Sequence, residues 1–279
     1  MLRDVVIGFL GAGSMAEALL QGLITAGLTT PERLWVTNRS NRDRLARLAK
    51  GLGVHTTSDK AEIVGVAELL VVACKPKDVP ALLGEVGGLT RPGQVVLSVA
   101  AGVSTATLAA GLRAGVQVVR AMPNTSSLVR QSATAVSAGT GATAEALALC
   151  HEVLEAVGKV VEVPESMLDA VTGLSGSGPA YVYAMVEALT EAGVAAGLPE
   201  AVAGELAVQT VLGAASMLRQ TGEDPAVLRQ RVTSPGGTTM AGLQVLQDRG
   251  FHQAIVGAVA RAAERSRELG GARPSPVAR

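Results

Sequence analysis

The sequence holds only five aromatic side chains, two cysteines and no lysine beyond Lys159, and each shortage removes a class of function. The aromatics, Phe9, Trp35, Tyr181, Tyr183 and Phe251, are too few and too scattered to stack successive bases or sugars. Cys74 and Cys150 form no CxxC or Cys/His cluster, which argues against a disulfide framework and any metal site of that kind and fits a reducing cytoplasm. Net charge is also missing: 24 Lys plus Arg against 24 Asp plus Glu leaves zero, without the field of a nucleic-acid coat or an anionic-lipid binder. No membrane span is expected, because Glu187, Glu191, Glu200 and Glu205 interrupt the most apolar third. The N-terminal apolar run passes into a Gly-rich turn rather than a signal-peptide cleavage site.

What is abundant is apolar: 48% of 279 residues are hydrophobic before the 33 glycines are counted, and 17% are charged. Up to residue 163 short β-rich runs alternate with helical segments, predicting a doubly wound parallel sheet. The strands are expected at 5–10, 34–37, 69–73, 95–99, 117–121, 133–137 and 159–163. Helices are expected at 14–26, 42–52, 77–84, 105–112 and 143–157. From residue 164 to 270 no β-run is convincing, and Gly-Pro, Leu-Pro and Ser-Pro-Gly-Gly breaks divide Ala- and Leu-rich segments. The expectation is an α/β protein of two domains, 1–163 with the sheet and 164–270 all helical, followed by a disordered tail at 271–279. Segment 201–218 is apolar or small on most faces, and a domain of about 100 residues cannot bury several such helices alone. A second subunit is therefore expected to cover them.

GFLGAGSMAEAL supplies G-x-G-x-x-A through Gly11, Gly13 and Ala16, after a strand and at a helix start. That is a Rossmann fingerprint: a tight turn, close backbone approach to a pyrophosphate, and a helix dipole facing the anion. An NAD site places Asp or Glu at the end of the second strand, whereas this chain has Asn38, Arg39 and Ser40. No carboxylate there repels a 2′-phosphate, and Arg39 can pair with one, so NADPH is favoured, with NADH as an accepted second cofactor. Arg39 as a solvated surface residue is the alternative. Ala73, Cys74, Lys75 and Pro76 end the 69–73 strand, where ligands of such sheets gather; Lys75 either neutralises phosphate or stabilises the loop. Cys74 reads as a small buried apolar residue rather than a nucleophile. SVAAG, with Ala100, and AMPN, with Asn124, end two more strands and offer a small lining for nicotinamide.

In the helical half, LSGSGPAY (174–181) and TSPGGTT (233–239) place hydroxyls and N–H groups ahead of helix starts, as anion sites or as ordinary N-caps. Neither holds Lys or His, and the only histidine after Lys159 is His252. Ketone reduction calls for a positioned acid. A protonated imine brings its own proton, so the composition selects C=N over C=O chemistry.

At these blocks, together with VVRAMPNT, AGLPEAVAGELAVQTVLGAASML and AAERSREL, the chain resembles pyrroline-5-carboxylate reductase over nearly its whole length. The resemblance implies a Rossmann domain followed by an all-helical dimerisation domain, a homo-oligomer that is a dimer or a decamer of five dimers, and reduction of pyrroline-5-carboxylate to proline. It also implies NADPH on Gly11, Ala12, Gly13, Ser14, Met15, Asn38, Arg39 and Ser40, approached by Ala73, Lys75 and Pro76. Ser234, Gly237, Thr238 and Thr239 would hold the substrate: backbone N–H groups of Gly237 and Thr238 with the Ser234 side chain on its carboxylate, and the catalytic Thr239 hydroxyl on its ring nitrogen. Lys60 stands where many relatives carry Asn, and Glu223 receives no role. A β-hydroxyacid dehydrogenase is the nearest rival, but it would need a catalytic Lys in the helical half. A non-enzymatic NADP-binding regulator would have no use for the two anion loops.

Overall fold

A computed structural model describes residues 2–271. Eight strands form one sheet in the order β3-β2-β1-β4-β5-β6-β7-β8. They are β1 (Ile7–Leu10), β2 (Leu34–Thr37), β3 (His55–Thr57), β4 (Leu69–Val72), β5 (Val95–Ser98), β6 (Gln117–Met122), β7 (Ser132–Ala138) and β8 (Gly158–Glu162). All neighbours are parallel except β6 and β7, which run antiparallel. The strand order reverses between β1 and β4, the switch point at which doubly wound sheets bind ligands.

The four-residue strands β1, β4 and β5 are buried throughout, which is why they read as unbroken apolar runs. Their side chains nonetheless alternate between two cores. Ile7, Phe9, Leu69, Val71, Val95 and Leu97 meet Leu19 and Leu23 of α1 (Ser14–Thr25), Leu45 of α2 (Arg42–Leu52) and, at a distance in sequence, Val153 of α6 (Ala144–Glu155). Leu70, Val72 and Val96 face Ile63 of α3 (Lys60–Val66), Leu82 of α4 (Val79–Val86) and Leu108 of α5 (Thr105–Ala110). Caps set the helix ends: Asn41, Ser104 and Thr143 side chains accept N–H bonds at the starts of α2, α5 and α6.

Strand β3 and helix α3 lie outside the sequence expectation. The strand is a three-residue edge element with His55 exposed, held by a stack of its imidazole on Trp35 at 4.5 Å, so it carries no apolar run. Helix α4 begins at Val79 rather than residue 77, because Pro76–Asp78 form a 3₁₀ turn.

By their internal contacts the described residues divide into two compact units. The first runs on through Ser177 and takes in Arg261–Gly271; the second is Gly178–Ala260. Within the first, Ser266 Oγ donates to Asp169 Oδ1 at 2.6 Å, tying the end of α12 (Phe251–Leu269) to α7 (Leu168–Val171). The expected disordered tail falls, apart from Gly271, outside the described residues.

The helical unit holds α8 (Gly178–Ala195), α9 (Glu200–Thr221), α10 (Pro225–Arg231), α11 (Thr238–Asp248) and the first half of α12. Helices α8 and α9 form a hairpin whose close approach uses small residues: a Cβ on Gly193 would lie 2.9 Å from that of Ala203. Little else is covered. In α9 only Ala203 and Ala207 are buried, while Leu206, Val208 and Leu212 stand more than half exposed. This helix is also the one described helix long and apolar enough to cross a membrane by length and composition.

LSGSGPAY does not form a loop before a helix. Thr172–Gly176 continue α7 as a π-helical turn, the Ser177 N–H reaches back to Thr172 O at 2.8 Å, and the Ser175 hydroxyl bonds to Val171 O. Donors expected to be open to an anion are used within the helix, because five-residue spacing lets the backbone continue through the Gly-rich stretch.

Glu165 joins three distant parts of the first unit. Its carboxylate accepts from the Thr105 N–H at 2.7 Å, the Thr105 hydroxyl at 2.5 Å and the buried Arg120 guanidinium at 3.1 Å. Burial pushes its carboxyl up, but the Thr105 and Arg120 donors outweigh burial and hold it below the usual range. Its stabilising contribution is therefore complete above the unfolded carboxylate value of about 4.3 and is lost as pH falls through the lower folded value. Glu165→Gln is expected to destabilise by about 2 kcal/mol at pH 7. Urea midpoints of variant and parent should converge as pH falls through the folded carboxyl's lowered range; a gap that stays equal from pH 7 down to acid would contradict this.

Candidate active site

The β1–α1 turn is the centre of the first unit's cleft. Gly11 has φ +127°, and a Cβ there would stand 2.7 Å from Ala73 O at the end of β4, so only glycine lets the two strand ends approach. Gly13 differs: its nearest neighbour for a Cβ is Ala73 O at 3.7 Å, and it faces space rather than protein. Gly13 is the N-cap of α1 without any capping side chain, and the first in-helix bond is Glu17 N–H to Gly13 O. The N–H groups of Ser14, Met15 and Ala16 thus lack intrahelical acceptors and form an anion-binding helix start.

A cleft of ≈470 Å³ opens on this turn. It brings together Gly11, Ala12, Gly13, Asn38, Arg39, Ser40, Ala73 and Lys75 of the expected cofactor residues. Asn38 shapes its rim, its Oδ1 accepting from the Ser40 and Asn41 N–H groups at 3.1 and 2.9 Å, and Arg39 stands exposed at the tip. Ser14 and Met15 contribute backbone at the helix start and do not line the cleft. Pro76 opens the 3₁₀ turn after it. Ala100 is buried beyond β5, its N–H on Ser98 Oγ. Asn124 is buried at the end of β6, with Nδ2 donating to Ser175 O at 2.9 Å and Oδ1 accepting from Ser126 N–H.

Arg44, behind the glycine turn, and Lys77 and Glu85, in the cleft wall, were not singled out from sequence. Arg44 Nε donates to Ala12 O at 2.9 Å and Nη2 to Glu17 Oε2 at 2.6 Å, so it clamps the glycine turn and neutralises a carboxylate in α1's first turn. Lys60, Lys77 and Glu85 line the opposite wall. Thr37 ends β2 on the cleft with its Oγ1 buried and without a partner. An open glycine at a helix start and an orphaned hydroxyl at the ribose end are what a dinucleotide would complete, and the residues fit that group. Cys74 also lines the cleft, but burial pushes its thiol up, away from the reactive thiolate.

In the helical unit, Ser234, Gly237, Thr238 and Thr239 lie together on one turn. Pro235 and Gly236, the latter at φ +70°, occupy the centre of a β-turn closed by Gly237 N–H to Ser234 O at 3.0 Å, and α11 begins at Thr238. That is the Pro-Gly signature of a type II turn. A Cβ on Gly237 would collide with Ser234 Oγ, so glycine there lets the hydroxyl fold over the helix start. The Gly237 N–H is engaged in the turn; the donors left without intrahelical acceptors are those of Thr238, Thr239 and Met240, since the first in-helix bond is Ala241 N–H to Gly237 O.

Sequence comparison bears on both units. The family description "Pyrroline-5-carboxylate reductase dimerisation" matches residues 165–269, and "NADP oxidoreductase coenzyme F420-dependent" matches 6–102. Pyrroline-5-carboxylate reductase of Methanosarcina acetivorans is 43% identical over 96% of this chain and 99% of its own. The chain belongs to the pyrroline-5-carboxylate reductase family. Its relative from Arabidopsis thaliana is 42% identical over 94% and 95% of the two chains. Among solved structures, the Coxiella burnetii reductase superposes with a TM-score of 0.91 at 37% identity, covering 98% of this chain and 100% of that one. A Plasmodium falciparum pyrroline carboxylate reductase with NADP bound gives 0.86 at 26% identity, covering 97% and 100%.

The two glycines of this reductase's turn should separate experimentally. Gly13→Ala is expected to keep the parent's thermal stability while raising the NADPH dissociation constant roughly tenfold or more. Gly11→Ala forces strain at positive φ and should cost about 1–3 kcal/mol of stability. Fluorescence titration and thermal melts read the two effects, and a Gly13→Ala protein that binds NADPH normally would remove the close-approach argument.

Proposed function

We propose that the residues described divide one reaction between them, the NAD(P)H-dependent reduction of 1-pyrroline-5-carboxylate to L-proline. The chain is an oxidoreductase acting on a CH–NH bond and uses NAD(P)H. The observation that carries the residue assignment is the Ser234–Gly237 turn: a helix start with free N–H donors and hydroxyls and no Lys or His in the motif. A carboxylate-bearing imine needs such donors and, once protonated on nitrogen, no further acid.

When bound, the nicotinamide supplies the hydride that the imine carbon takes up, and the iminium nitrogen becomes the ring amine. The chain's part is holding and aligning. The open N–H groups of Thr238 and Thr239, with the Ser234 hydroxyl, hold the carboxylate, and Gly237 gives that hydroxyl its room. The Thr239 hydroxyl accepts a hydrogen bond from the protonated ring nitrogen and fixes the ring's orientation, which is most of what a hydride transfer requires. On the cofactor side, Gly11, Ala12, Gly13, Ser14 and Met15 hold the pyrophosphate, and Asn38, Arg39 and Ser40 hold the adenosine ribose with a preference for its 2′-phosphate. Ala73, Lys75 and Pro76 border the dinucleotide, and Ala100 and Asn124 shape the loops at the ends of β5 and β6.

The protein is a homo-oligomer acting on a small molecule. We place the interface on the exposed apolar faces of α8 to α12, as a dimer able to build a decamer of five dimers; covering α9 by a second copy accounts for its apolar face without a membrane. The zero net charge supports the absence of a nucleic-acid partner, and two free cysteines support a cytoplasmic enzyme.

Thr239→Ala is expected to lower turnover at least about tenfold, by no less than it weakens NADPH binding. Stopped-flow NADPH oxidation with and without added pyrroline-5-carboxylate measures this. Unchanged turnover would take Thr239 out of the reaction, and oxidation independent of the imine would reject the reading as a whole.

A further inference from the structure

Lys60 stands at the N-terminus of α3, and its Nζ lies 2.6 Å from Glu85 Oε2 on α4. Both side chains line the cleft that Arg39 borders at the end of β2. Lys60 is the more confined of the two, its side chain 20% exposed against 52% for Glu85. Its helix is fixed at the far end: Arg91 donates to the carbonyls of Val64, Gly65 and Ala67, and Gln94 to those of Val64 and Ala67. Lys60 therefore stands on an anchored element.

The sign of the charge on this wall decides which ribose the cleft accepts. A carboxylate beside the adenosine ribose accepts hydrogen bonds from its free hydroxyls and repels a 2′-phosphate. On the cofactor reading Glu85, which lines the cleft across from the end of β2, is such a carboxylate, and Lys60 neutralises it. A half-exposed ion pair holds its partners loosely. A phosphate monoester near pH 7 carries more negative charge than a carboxylate and three acceptor oxygens, so it can draw the ammonium over.

We propose that Lys60 is a specificity-determining residue: by pairing with Glu85 it cancels a carboxylate that would favour NADH, and with Arg39 it gives the 2′-phosphate of NADPH a second cation. This rests on the cofactor reading of the cleft. Lys75, Lys77 and Asp78 also line the cleft; Lys77 and Asp78 offset each other formally and Lys75 belongs to the loop after β4, so on the α3–α4 wall the Lys60–Glu85 pair sets the sign.

The test is equilibrium binding of NADPH and NADH, without substrate, to the full-length protein, its Lys60→Ala and Glu85→Gln variants and the double variant. Thermal melts accompany each protein. Lys60→Ala is expected to weaken NADPH about tenfold while leaving NADH within about twofold. Glu85→Gln should hold or tighten NADPH, and the double variant should recover part of the NADPH affinity lost in Lys60→Ala. Equal losses for both dinucleotides, no loss for either, or no recovery in the double variant would overturn the proposal. Failure of the parent protein to bind either dinucleotide would instead overturn the cofactor reading itself.

Discussion

The helical unit depends on covering apolar surface that a single chain leaves open. Helices α8 and α11 bury none of their residues within one chain, and α9 buries two alanines. Leu189, Leu206, Leu212, Val245 and Val256 all stand 40% or more exposed. Each such side chain contributes about 1.5–3 kcal/mol when it is taken from water, so covering a few of them outweighs the cost of joining two chains. The turn from Ser234 to Gly237 sits between α10 and α11 of this unit. Its geometry is then only as firm as the packing of those helices, and association becomes a condition for the proposed substrate site as well as for stability.

The sheet unit works under a different constraint. Both faces are packed, so its strands can be four residues long and still be wholly buried. In the proposed cofactor cleft, N–H groups at the start of α1 that a capping side chain would otherwise occupy stand ready for an anion beside the formal charges of its walls. Arg44 contributes by removing Glu17 from the local field and by fixing Ala12. A chain with no net charge can in this way bind a ligand that carries several negative ones.

Much of this was legible in the sequence because burial leaves a pattern. Continuous apolar runs marked β1, β2, β4 and β5, and G-x-G-x-x-A marked the one turn where Gly11 must come within reach of Ala73 O. The alternation of those runs between two cores was not legible, since apolar residues on both faces hide the period. The edge strand β3 escaped for the opposite reason: exposed His55 and two threonines produce no run. The SGSGPAY segment was misleading because glycine and serine suggest a loop, whereas hydroxyl-to-carbonyl bonds and a π turn keep it helical. Lys60, Arg44 and Glu165 owe their roles to partners 25, 32 and 60 residues away, which no local spacing reveals.

Oligomeric mass measured by light scattering along a dilution series, with reductase activity followed on the same samples, tests the dependence on a second copy most directly. The account predicts a mass of at least two chains wherever the protein is folded and active, with helicity and turnover lost together if dilution separates the copies. A stable, fully folded monomer that reduces pyrroline-5-carboxylate at the undiluted rate would contradict it.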